Sequence, residues 1–217
     1  MLIDIDNPKI TVIMSVKDGD PWLASSVNSI LSQTESDFEF LIADDSSTDR
    51  SSEILSAFKG QDNRIKVYTN ASPMGLASSL NSLIAISRGD YIVRMDADDV
   101  SHPRRLEVQL SYMEKNKGVG VCFSRVNIVL DSNEFLCVKW SPISVHTALF
   151  LLPFINHFVH PTAFVRREVY LQDGFYNPYF MKAQDWELWQ RLISKGVRFG
   201  IVRDVLLDYR LLVKSSS

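Results

Sequence analysis

The chain has 217 residues, of which 46% are hydrophobic and 23% are charged, and its formal net charge is -3. This length allows one domain with a substantial core, and the hydrophobic fraction excludes a disordered chain. A nearly neutral chain gives no electrostatic reason to expect nucleic acid as a partner. Cys122 and Cys137 are its two cysteines. This count excludes a disulfide framework, argues against a zinc site and favours a reducing, cytosolic compartment.

The sequence contains no segment with the length and hydrophobicity of a membrane span. The longest apolar run, residues 148–155, includes Pro153 and is far shorter than the roughly 20 residues that a span needs. The first six residues include two acidic residues, Asp4 and Asp6, and lack the basic flank of a signal peptide. We therefore expect a soluble protein that is not exported by a signal peptide.

The first hundred residues alternate between strand and helix patterns. Strands are predicted over 10–16, 38–43, 65–68 and 91–95, and helices from Pro21, over 49–59 with an end at Gly60, and from Leu76 to near Gly89. This alternation predicts right-handed βαβ units and a mainly parallel sheet. The chain has no Pro/Gly/Ser-rich linker and no internal repeat, which predicts a single domain.

The second half is less regular. Pro103 begins a predicted helix with Leu106, Leu110 and Met113 on its buried face, and a second helix is predicted over 184–194. Strands are predicted over 119–130, 135–140, 162–165, 197–202 and 205–212.

Two acidic clusters follow alternating strands of the predicted sheet. Asp44 and Asp45 follow the second strand, and Asp96, Asp98 and Asp99 follow the fourth. Ligands of open α/β sheets bind outside the carboxyl ends of the strands. Five carboxylates gathered there repel one another unless a cation or hydrogen-bond donors share the site. Oxygen ligands of this kind suit Mg²⁺ or Mn²⁺ bound together with substrate phosphates, which indicates a metal-assisted nucleotide site.

Each of these residues also has a purely structural interpretation. The run 44–49 can form a solvated turn with a helix cap, Asp99 can cap the helix after Pro103, and Asp185 can cap the helix that it begins. His160, before Pro161, fits a loop hydrogen bond better than a metal ligand. Trp186 and Trp189 are most simply core residues.

Several common nucleotide and hydrolase motifs are absent from the sequence. Lys17-Asp18-Gly19-Asp20 stands after the first strand, where a dinucleotide-binding enzyme would carry G-x-G-x-x-G. The sequence also lacks G-x-x-x-x-G-K-[ST] and G-x-S-x-G. These absences argue against a nicotinamide-dependent oxidoreductase, a P-loop NTPase and an α/β-hydrolase.

An ordered set of motifs nevertheless resembles one known family. The matching stretches are residues 10–16, 29–34, 38–49, Asn70, 75–76, 80–81, 88–99, 103–106, 160–161, 184–189 and 206–210. In this order and spacing the chain resembles the inverting glycosyltransferases of family 2. The resemblance implies an α/β, Rossmann-like GT-A fold, with a mainly parallel mixed sheet flanked by helices, in a single domain over 1–217. It places a nucleotide-binding half at 9–100 and an acceptor-binding and catalytic-base half at 101–217.

The resemblance also implies a role for each matching residue. Asp45, with Asp44 beside it, hydrogen-bonds the nucleotide base, which Ser15, Val16 and Lys17 flank. Gly75 lies on the donor-binding side. Asp96 and Asp98 form the D-x-D pair, with Asp98 on the Mg²⁺ or Mn²⁺ ion that holds the diphosphate and Asp96 towards the ribose and the metal. Asp185 is the catalytic base, and its position at a helix start favours the ionised form. Lys17 stands where the family often has an aromatic residue. Gln184 stands where the family usually has an acidic residue, directly before the base.

The same resemblance implies the substrates. The donor is a nucleotide-diphosphate sugar, with UDP preferred, and the acceptor is a glycan or a lipid-linked glycan of the bacterial cell envelope, reached in the cytoplasm or at the inner face of the membrane. The acceptor surface is expected within 141–183, where six aromatic residues lie: Phe150, Phe154, Phe158, Tyr176, Tyr179 and Phe180. Two alternatives remain open. One is sugar-nucleotide hydrolysis or nucleotidyl transfer at the same acidic site, and the other is a nucleotide-sugar binding domain without transferase activity.

Overall fold

The computed structural model describes residues 7–132, 134–139 and 144–211. Trp140 and Leu212, the predicted ends of two strands, lie outside these ranges, as do residues 1–6.

The first half forms a parallel sheet in the strand order β3-β2-β1-β4. The strands are β1 (Ile10–Val16), β2 (Phe38–Asp44), β3 (Ile65–Thr69) and β4 (Tyr91–Met95). The helices α1 (Leu23–Leu31), α2 (Ser51–Gln61) and α3 (Leu76–Ile86) connect them. Every residue of β2 and of β4 is buried, as expected for strands that are covered on both faces.

The second half extends this sheet in the order β4-β8-β6-β9-β5, with β7 paired to β6. Its elements are β5 (Val100–Ser101), α4 (Arg105–Lys115), β6 (Val121–Leu130), β7 (Phe135–Lys139), α5 (Val145–Leu151), β8 (Phe164–Arg166), α6 (Arg167–Asp173), α7 (Gln184–Ser194) and β9 (Phe199–Leu211). β8 is antiparallel to both β4 and β6, whereas β9 is parallel to β6. The result is the mixed α/β sheet that the sequence predicts.

Two hydrophobic clusters fill the two faces of the sheet. Val12, Phe40 and Val93 belong to one cluster, and their strand neighbours Ile13 and Leu41 belong to the other. Adjacent residues of a strand point to opposite faces, so one sheet supplies both halves of the core.

The structure differs from the sequence prediction at three boundaries and contains three short elements that were not predicted. Gly60 does not end α2: the helix continues through it to Gln61. The last two predicted strands are one continuous strand, β9. Its pairing with β6 is irregular, because it skips residues 203–204 between Val202 and Val205. Thr162 lies in a 3-10 turn over 160–162, and β8 begins only at Phe164. The sequence did not predict β5, α5 or α6, which have two, seven and seven residues, too few to establish a periodic pattern.

Among the described residues, no helix combines the length and the apolar character needed to cross a membrane.

Candidate active site

The carboxyl ends of β1, β2 and β4 lie together at one edge of the sheet. The parallel register places Val16 beside Asp44 and Met14 beside Met95. Ligands of such sheets bind in the crevice outside these strand ends. The predicted donor-site residues that end or follow the strands are all at this edge, namely Ser15, Val16, Lys17, Asp44, Asp45, Asp96 and Asp98.

The loop after β1 is fixed by the polar loop after β2. The backbone nitrogen of Asp18 donates to Ser47 Oγ at 3.0 Å, and the Asp18 carboxylate accepts from the backbone nitrogen of Thr48 at 2.7 Å. Lys17 Nζ donates to the carbonyl oxygen of Ser46. The run interpreted as a turn therefore also builds one wall of the crevice.

Asp44 ends β2 with a side chain that is only 1% exposed. Its Oδ1 accepts a hydrogen bond from the backbone nitrogen of Ser47 at 2.9 Å, and its Oδ2 accepts one from the Ser52 hydroxyl. The carboxylate thus stabilises the turn between β2 and α2, and its donor-side role stays a prediction.

Asp45 organises the turn that leads into α3. Its Oδ1 accepts from Asn70 Nδ2 and from the backbone nitrogen of Met74, both at 2.7 Å, and its Oδ2 accepts from the nitrogen of Gly75 at 2.9 Å. Burial alone would raise the pKa of Asp45, but these donors outweigh it and lower the pKa. Gly75 has a φ of 83°, which favours glycine. Asp45 and Gly75, which the resemblance assigns to the donor site, are therefore in direct contact.

Asp96 and Asp98 form a close acidic pair after β4. Arg94, which is 1% exposed, donates from Nη2 to Asp96 Oδ1 and from Nη1 to the carbonyl oxygen of Met95. Ser26 of α1 donates to the carbonyl oxygen of Asp96 at 2.7 Å. Burial raises the pKa of Asp98, and the negative charge of Asp96 raises it further. The charges of Arg94 and Arg210 lower the pKa of Asp98 but do not offset burial and this repulsion.

Arg210 of β9 binds this acidic segment from the other side. Its backbone nitrogen donates to Asp99 Oδ1 at 2.9 Å, and its Nε donates to the carbonyl oxygen of Asp98 at 2.9 Å. Its guanidinium carbon lies 3.9 Å from the ring centroid of Trp22, a cation–π contact. Arg210 therefore joins β9, the acidic segment and the chain just before α1.

The base predicted from the resemblance, Asp185, lies in the first turn of α7. Asn156 Nδ2 donates to Asp185 Oδ2 at 2.8 Å. Burial raises the pKa of Asp185, and the charge of Asp96 adds to this rise. The backbone donors at the helix start lower the pKa, as expected, but burial outweighs them. Because the charge of Asp96 acts on Asp185, the fold brings the segment after β4 and the start of α7 to one site.

Two predicted capping roles are wrong. α4 begins at Arg105 without a side-chain cap, because the Asp99 carboxylate accepts from Arg210 instead. α7 has Ala183 in its cap position, and Asp185 is already inside the helix.

His160 is a hydrogen-bonding loop residue, as interpreted. Its Nε2 lies 2.8 Å from the Tyr176 hydroxyl, which lies 3.2 Å from that of Tyr170. Burial lowers the pKa of His160 well below its usual value, and the charge of Arg94 lowers it further, so the imidazole is neutral near pH 7. Trp189 is fully buried beside it, as predicted for a core residue.

The six aromatic residues expected on the acceptor surface divide into two groups. Phe158 and Tyr176 are buried in the core, which is the default for aromatic residues. Phe150, Phe154, Tyr179 and Phe180 are exposed.

Four residues of this site were missed from the sequence: Arg94, Asn156, Tyr209 and Arg210. Burial raises the pKa of Tyr209 to about 12, with further contributions from Asp99, Asp96, Asp98 and Asp185, so Tyr209 faces the same group of carboxylates. Arg94 could have been found from the sequence, because it is a charged residue within the otherwise apolar strand 91–95. Asn156 gave no such signal, because a single amide in a loop has no pattern around it.

Comparisons with known proteins identify the family of this chain. The family model described as glycosyl transferase family 2 matches residues 11–175. An uncharacterised glycosyltransferase of Methanocaldococcus jannaschii is 31% identical over 97% of this chain and 73% of its own length. The O-antigen biosynthesis glycosyltransferase WbnJ of Escherichia coli is 34% identical over 95% of this chain and 81% of its own length.

Solved structures share the fold at lower identity. Staphylococcus aureus TarS in complex with UDP-GlcNAc superposes with a TM-score of 0.79 at 16% identity, over 96% of this chain and 60% of that one. The mannosyltransferase PcManGT of Pyrobaculum calidifontis, in complex with GDP-Man and Mn²⁺, gives 0.71 at 18% identity, over 97% of this chain and 59% of that one. This chain thus spans about 60% of the length of these two structures.

The chain belongs to glycosyl transferase family 2, and its enzyme class is glycosyltransferase. The GT-A fold expected from the resemblance is confirmed.

Proposed function

We propose that this protein transfers a sugar from a nucleotide-diphosphate donor to a hydroxyl group of a glycan or lipid-linked acceptor, with inversion at the anomeric carbon. The observation that carries this proposal is the proximity of Asp185 to the acidic segment after β4: burial raises the pKa of Asp185, and the charge of Asp96 adds to this rise. In the proposed division of the single domain, residues 9–100 bind the donor and residues 101–217 bind the acceptor and carry the base.

The donor half supplies a crevice between two polar loops. Ser15, Val16 and Lys17 would flank the nucleotide base on one side, and the turn built by Asp45 and Gly75 would bound it on the other. We favour UDP as the nucleotide because of the resemblance to family 2; similar folds are recorded both with UDP-GlcNAc and with GDP-Man.

The acidic pair fits a divalent ion that is bound jointly with the diphosphate. The described residues contain no group of three or more His, Cys, Asp and Glu side chains arranged to hold a metal. Mg²⁺ and Mn²⁺ are often held by one or two carboxylates plus substrate phosphates, and Asp98 with Asp96 meets that requirement. Burial and then the charge of Asp96 raise the pKa of Asp98, which supports this fit because a bound cation would stabilise the ionised carboxylate. Such an ion neutralises the charge that develops on the leaving diphosphate.

Asp185 would remove the proton from the acceptor hydroxyl as that oxygen attacks the anomeric carbon. Its raised pKa makes it a stronger base than an exposed aspartate, and Asn156 orients one of its oxygens. Attack from the face opposite the diphosphate is a single displacement, which inverts the anomeric configuration.

The first test is thermal unfolding of the chain with UDP, GDP, dTDP or CMP, each with and without Mn²⁺. A ligand at about one hundred times its dissociation constant adds roughly 2.7 kcal/mol of stability. We expect a Mn²⁺-dependent shift with UDP. If no nucleotide shifts the transition, the chain lacks a donor site and the proposal is wrong.

The second test separates transfer from the alternatives. Asp185→Asn should abolish sugar transfer while preserving the nucleotide-dependent thermal shift. Release of free sugar without transfer would indicate a hydrolase, and a shift without any turnover would indicate a binding domain.

A further inference from the structure

The acidic segment after β4 runs directly into β5, which lies at one end of the sheet. β5 consists of Val100 and Ser101, which pair with Asp208 and Leu207 of β9. So short a strand gains little stability from its backbone pairing. Side-chain contacts with β9 therefore have a large share in holding β5, and with it the acidic segment, in place.

His102, the first residue after β5, is hydrogen-bonded to Asp208 of β9. Its Nε2 lies 2.8 Å from Asp208 Oδ1. Asn127 Nδ2 of β6 donates to the same carboxylate oxygen at 2.7 Å. We call His102, Asp208 and Asn127 the His102 cluster. The backbone nitrogen of His102 also donates to the carbonyl oxygen of Leu206 at 3.0 Å, so both the main chain and the side chain of this residue are bound to β9.

The His102 cluster favours the protonated imidazole. The hydrogen bond to Asp208 raises the pKa of His102 above its ordinary value of 6.5, and burial, which lowers the pKa, has the smaller effect. Burial raises the pKa of Asp208, but the donors His102 and Asn127 outweigh it and lower the pKa. Near pH 6 the pair is therefore an imidazolium beside a carboxylate.

The charged groups around this pair come from β9, β6 and the start of α4. Asp208 is the carboxylate whose charge raises the pKa of His102. The charge of Arg210, two residues further along β9, lowers the pKa of Asp208 in turn. α1 contacts His102 through the neutral Gln33, whose Nε2 donates to its carbonyl oxygen at 2.8 Å. Other charged groups on these elements are Asp204, Arg125 and the Arg104–Glu107 pair, whose Nη2 and Oε1 lie 3.2 Å apart.

The same stretch of β9 holds the acidic segment itself. Arg210 donates from Nε to the carbonyl oxygen of Asp98 and from its backbone nitrogen to Asp99 Oδ1, both at 2.9 Å. The pairing of β9 with β6 is regular over residues 207–211, so this stretch is also fixed on its other side. The chain from Asp98 to His102 is thus attached to one segment of β9 at both of its ends.

We propose that His102 and Asp208 are positioning residues for the metal and diphosphate ligand of the proposed function, on which this inference rests. Their ion pair keeps β5 against β9, and β5 in turn keeps Asp98 in the position that Arg210 fixes. They act through the backbone and do not themselves bind the ligand. As the pH rises through the pKa of His102, the imidazolium loses its charge and this contribution is lost. Affinity for a divalent cation with a nucleotide diphosphate should therefore depend on His102 below that pH and not above it.

The test is the dissociation constant of UDP in excess Mg²⁺, measured by titration calorimetry at pH 6 and pH 9 on the unmodified chain and on His102→Gln. Glutamine keeps a hydrogen-bond donor but cannot carry the charge, and charge-assisted hydrogen bonds are roughly twice as strong as neutral ones. We expect His102→Gln to bind about five-fold more weakly at pH 6 and equally well at pH 9. Comparing two proteins at each pH removes the titration of UDP itself from the result.

Asp208→Asn is a second variant with the same expected ratios, because it removes the charge from the other member of the pair. His146→Gln is the matched control, since His146 is exposed on α5 and lies outside the cluster. It should bind UDP and Mg²⁺ like the unmodified chain at both pH values. Proton NMR gives a readout without any ligand, in which Asp208→Asn should lower the pKa of His102.

Two results would overturn this inference while leaving the proposed function intact. The first is a ratio of dissociation constants that is the same at pH 6 and pH 9. The second is a His102→Gln chain that has a lower melting temperature but binds UDP and Mg²⁺ as tightly as the unmodified chain at pH 6, because the pair would then stabilise the fold alone. If the unmodified chain binds no UDP with Mg²⁺ at either pH, the proposed function is overturned and this inference with it.

Discussion

Asn156 donates a hydrogen bond from Nδ2 to Oδ2 of Asp185 at 2.8 Å, which joins the loop after α5 to the first turn of α7. The amide is itself oriented, because its Oδ1 accepts from the backbone nitrogen of Phe158 at 3.0 Å. The proposed base is thus positioned by a neutral partner that lowers its pKa against the effect of burial.

Replacing Asn156 by alanine should raise the pKa of Asp185 further, because a donor to its ionised form is lost. A base acts only when it is deprotonated, so activity is lost as the pH falls through its pKa. The acidic limb of the kcat–pH profile should therefore move to higher pH, and kcat at neutral pH should fall about ten-fold or more. Asn116→Ala, which removes an exposed amide bonded only to its own helix at Tyr112, is the control. An unshifted profile in Asn156→Ala would contradict the positioning role.

Asp98→Asn should abolish the Mn²⁺-dependent part of the UDP-induced thermal shift. In the absence of ligand its melting temperature should stay equal or rise, because burial and the charge of Asp96 disfavour the ionised Asp98 that the amide replaces. Thermal unfolding at pH 7 with and without Mn²⁺ checks both effects. A full metal-dependent shift in this variant would exclude Asp98 as a metal ligand.

Arg210→Lys should weaken UDP and Mn²⁺ binding while the chain stays folded. Lysine keeps the charge but loses the planar contact with Trp22 and the fixed donor geometry towards the carbonyl oxygen of Asp98. The acidic segment should then be less well positioned, and the apparent dissociation constant for Mn²⁺ in the presence of UDP should rise about ten-fold. Arg203→Lys, at an exposed position of the same strand, should leave that constant unchanged.

Glu39 should contribute pH-dependent stability away from the site. Its carboxylate accepts from Thr11 Oγ1 at 2.9 Å, from Lys66 Nζ at 3.1 Å and from Arg88 Nη2 at 3.0 Å. Burial opposes ionisation, but the Arg88, Thr11 and Lys66 donors outweigh it, so the pKa lies below its ordinary value of 4.5.

A lowered carboxylate pKa stabilises the fold above the unfolded value and loses that effect as the pH falls through the folded value. Glu39→Gln should therefore lower the free energy of unfolding by about 2 kcal/mol at pH 7. Below pH 4.5 this difference should shrink progressively. Denaturant titrations at pH 7 and in acid measure it. A difference that does not change with pH would contradict the charge-based explanation. Glu53→Gln, whose side chain is 80% exposed, is the matched control.

Two glycine-to-alanine substitutions should have opposite effects. Gly60 lies inside α2, and a Cβ there meets no atom within 4 Å, so Gly60→Ala should stabilise the protein by about 0.5 to 1 kcal/mol. A Cβ on Gly89 would lie 2.5 Å from the backbone nitrogen of Thr11, so Gly89→Ala should destabilise it by about 2 kcal/mol or more. Thermal or denaturant unfolding distinguishes them, and a destabilised Gly60→Ala would place that residue at a helix end after all.

The parallel half of the fold was predictable because its patterns are local. Buried strands such as β1 and β2 are continuous apolar runs, and the helices between them repeat their apolar residues at helical spacing. The position of Asp45 and Asp96 at one sheet edge then follows from parallel topology, since each residue comes directly after a strand. The second half was less predictable, because β5, α5 and α6 are short and the pairing of β9 with β6 skips three residues of β9, namely 203, 204 and 206.

The sequence by itself therefore determined the family, the α/β class and the residues that end the parallel strands, because motif order and hydrophobic period are properties of the chain alone. Only the tertiary structure decided how those residues are paired. Arg210 with Asp98 and Asn156 with Asp185 join residues that are 112 and 29 positions apart. Hydrogen bonds between distant segments depend on how the strands cross and where each side chain is buried, and no local pattern records that geometry.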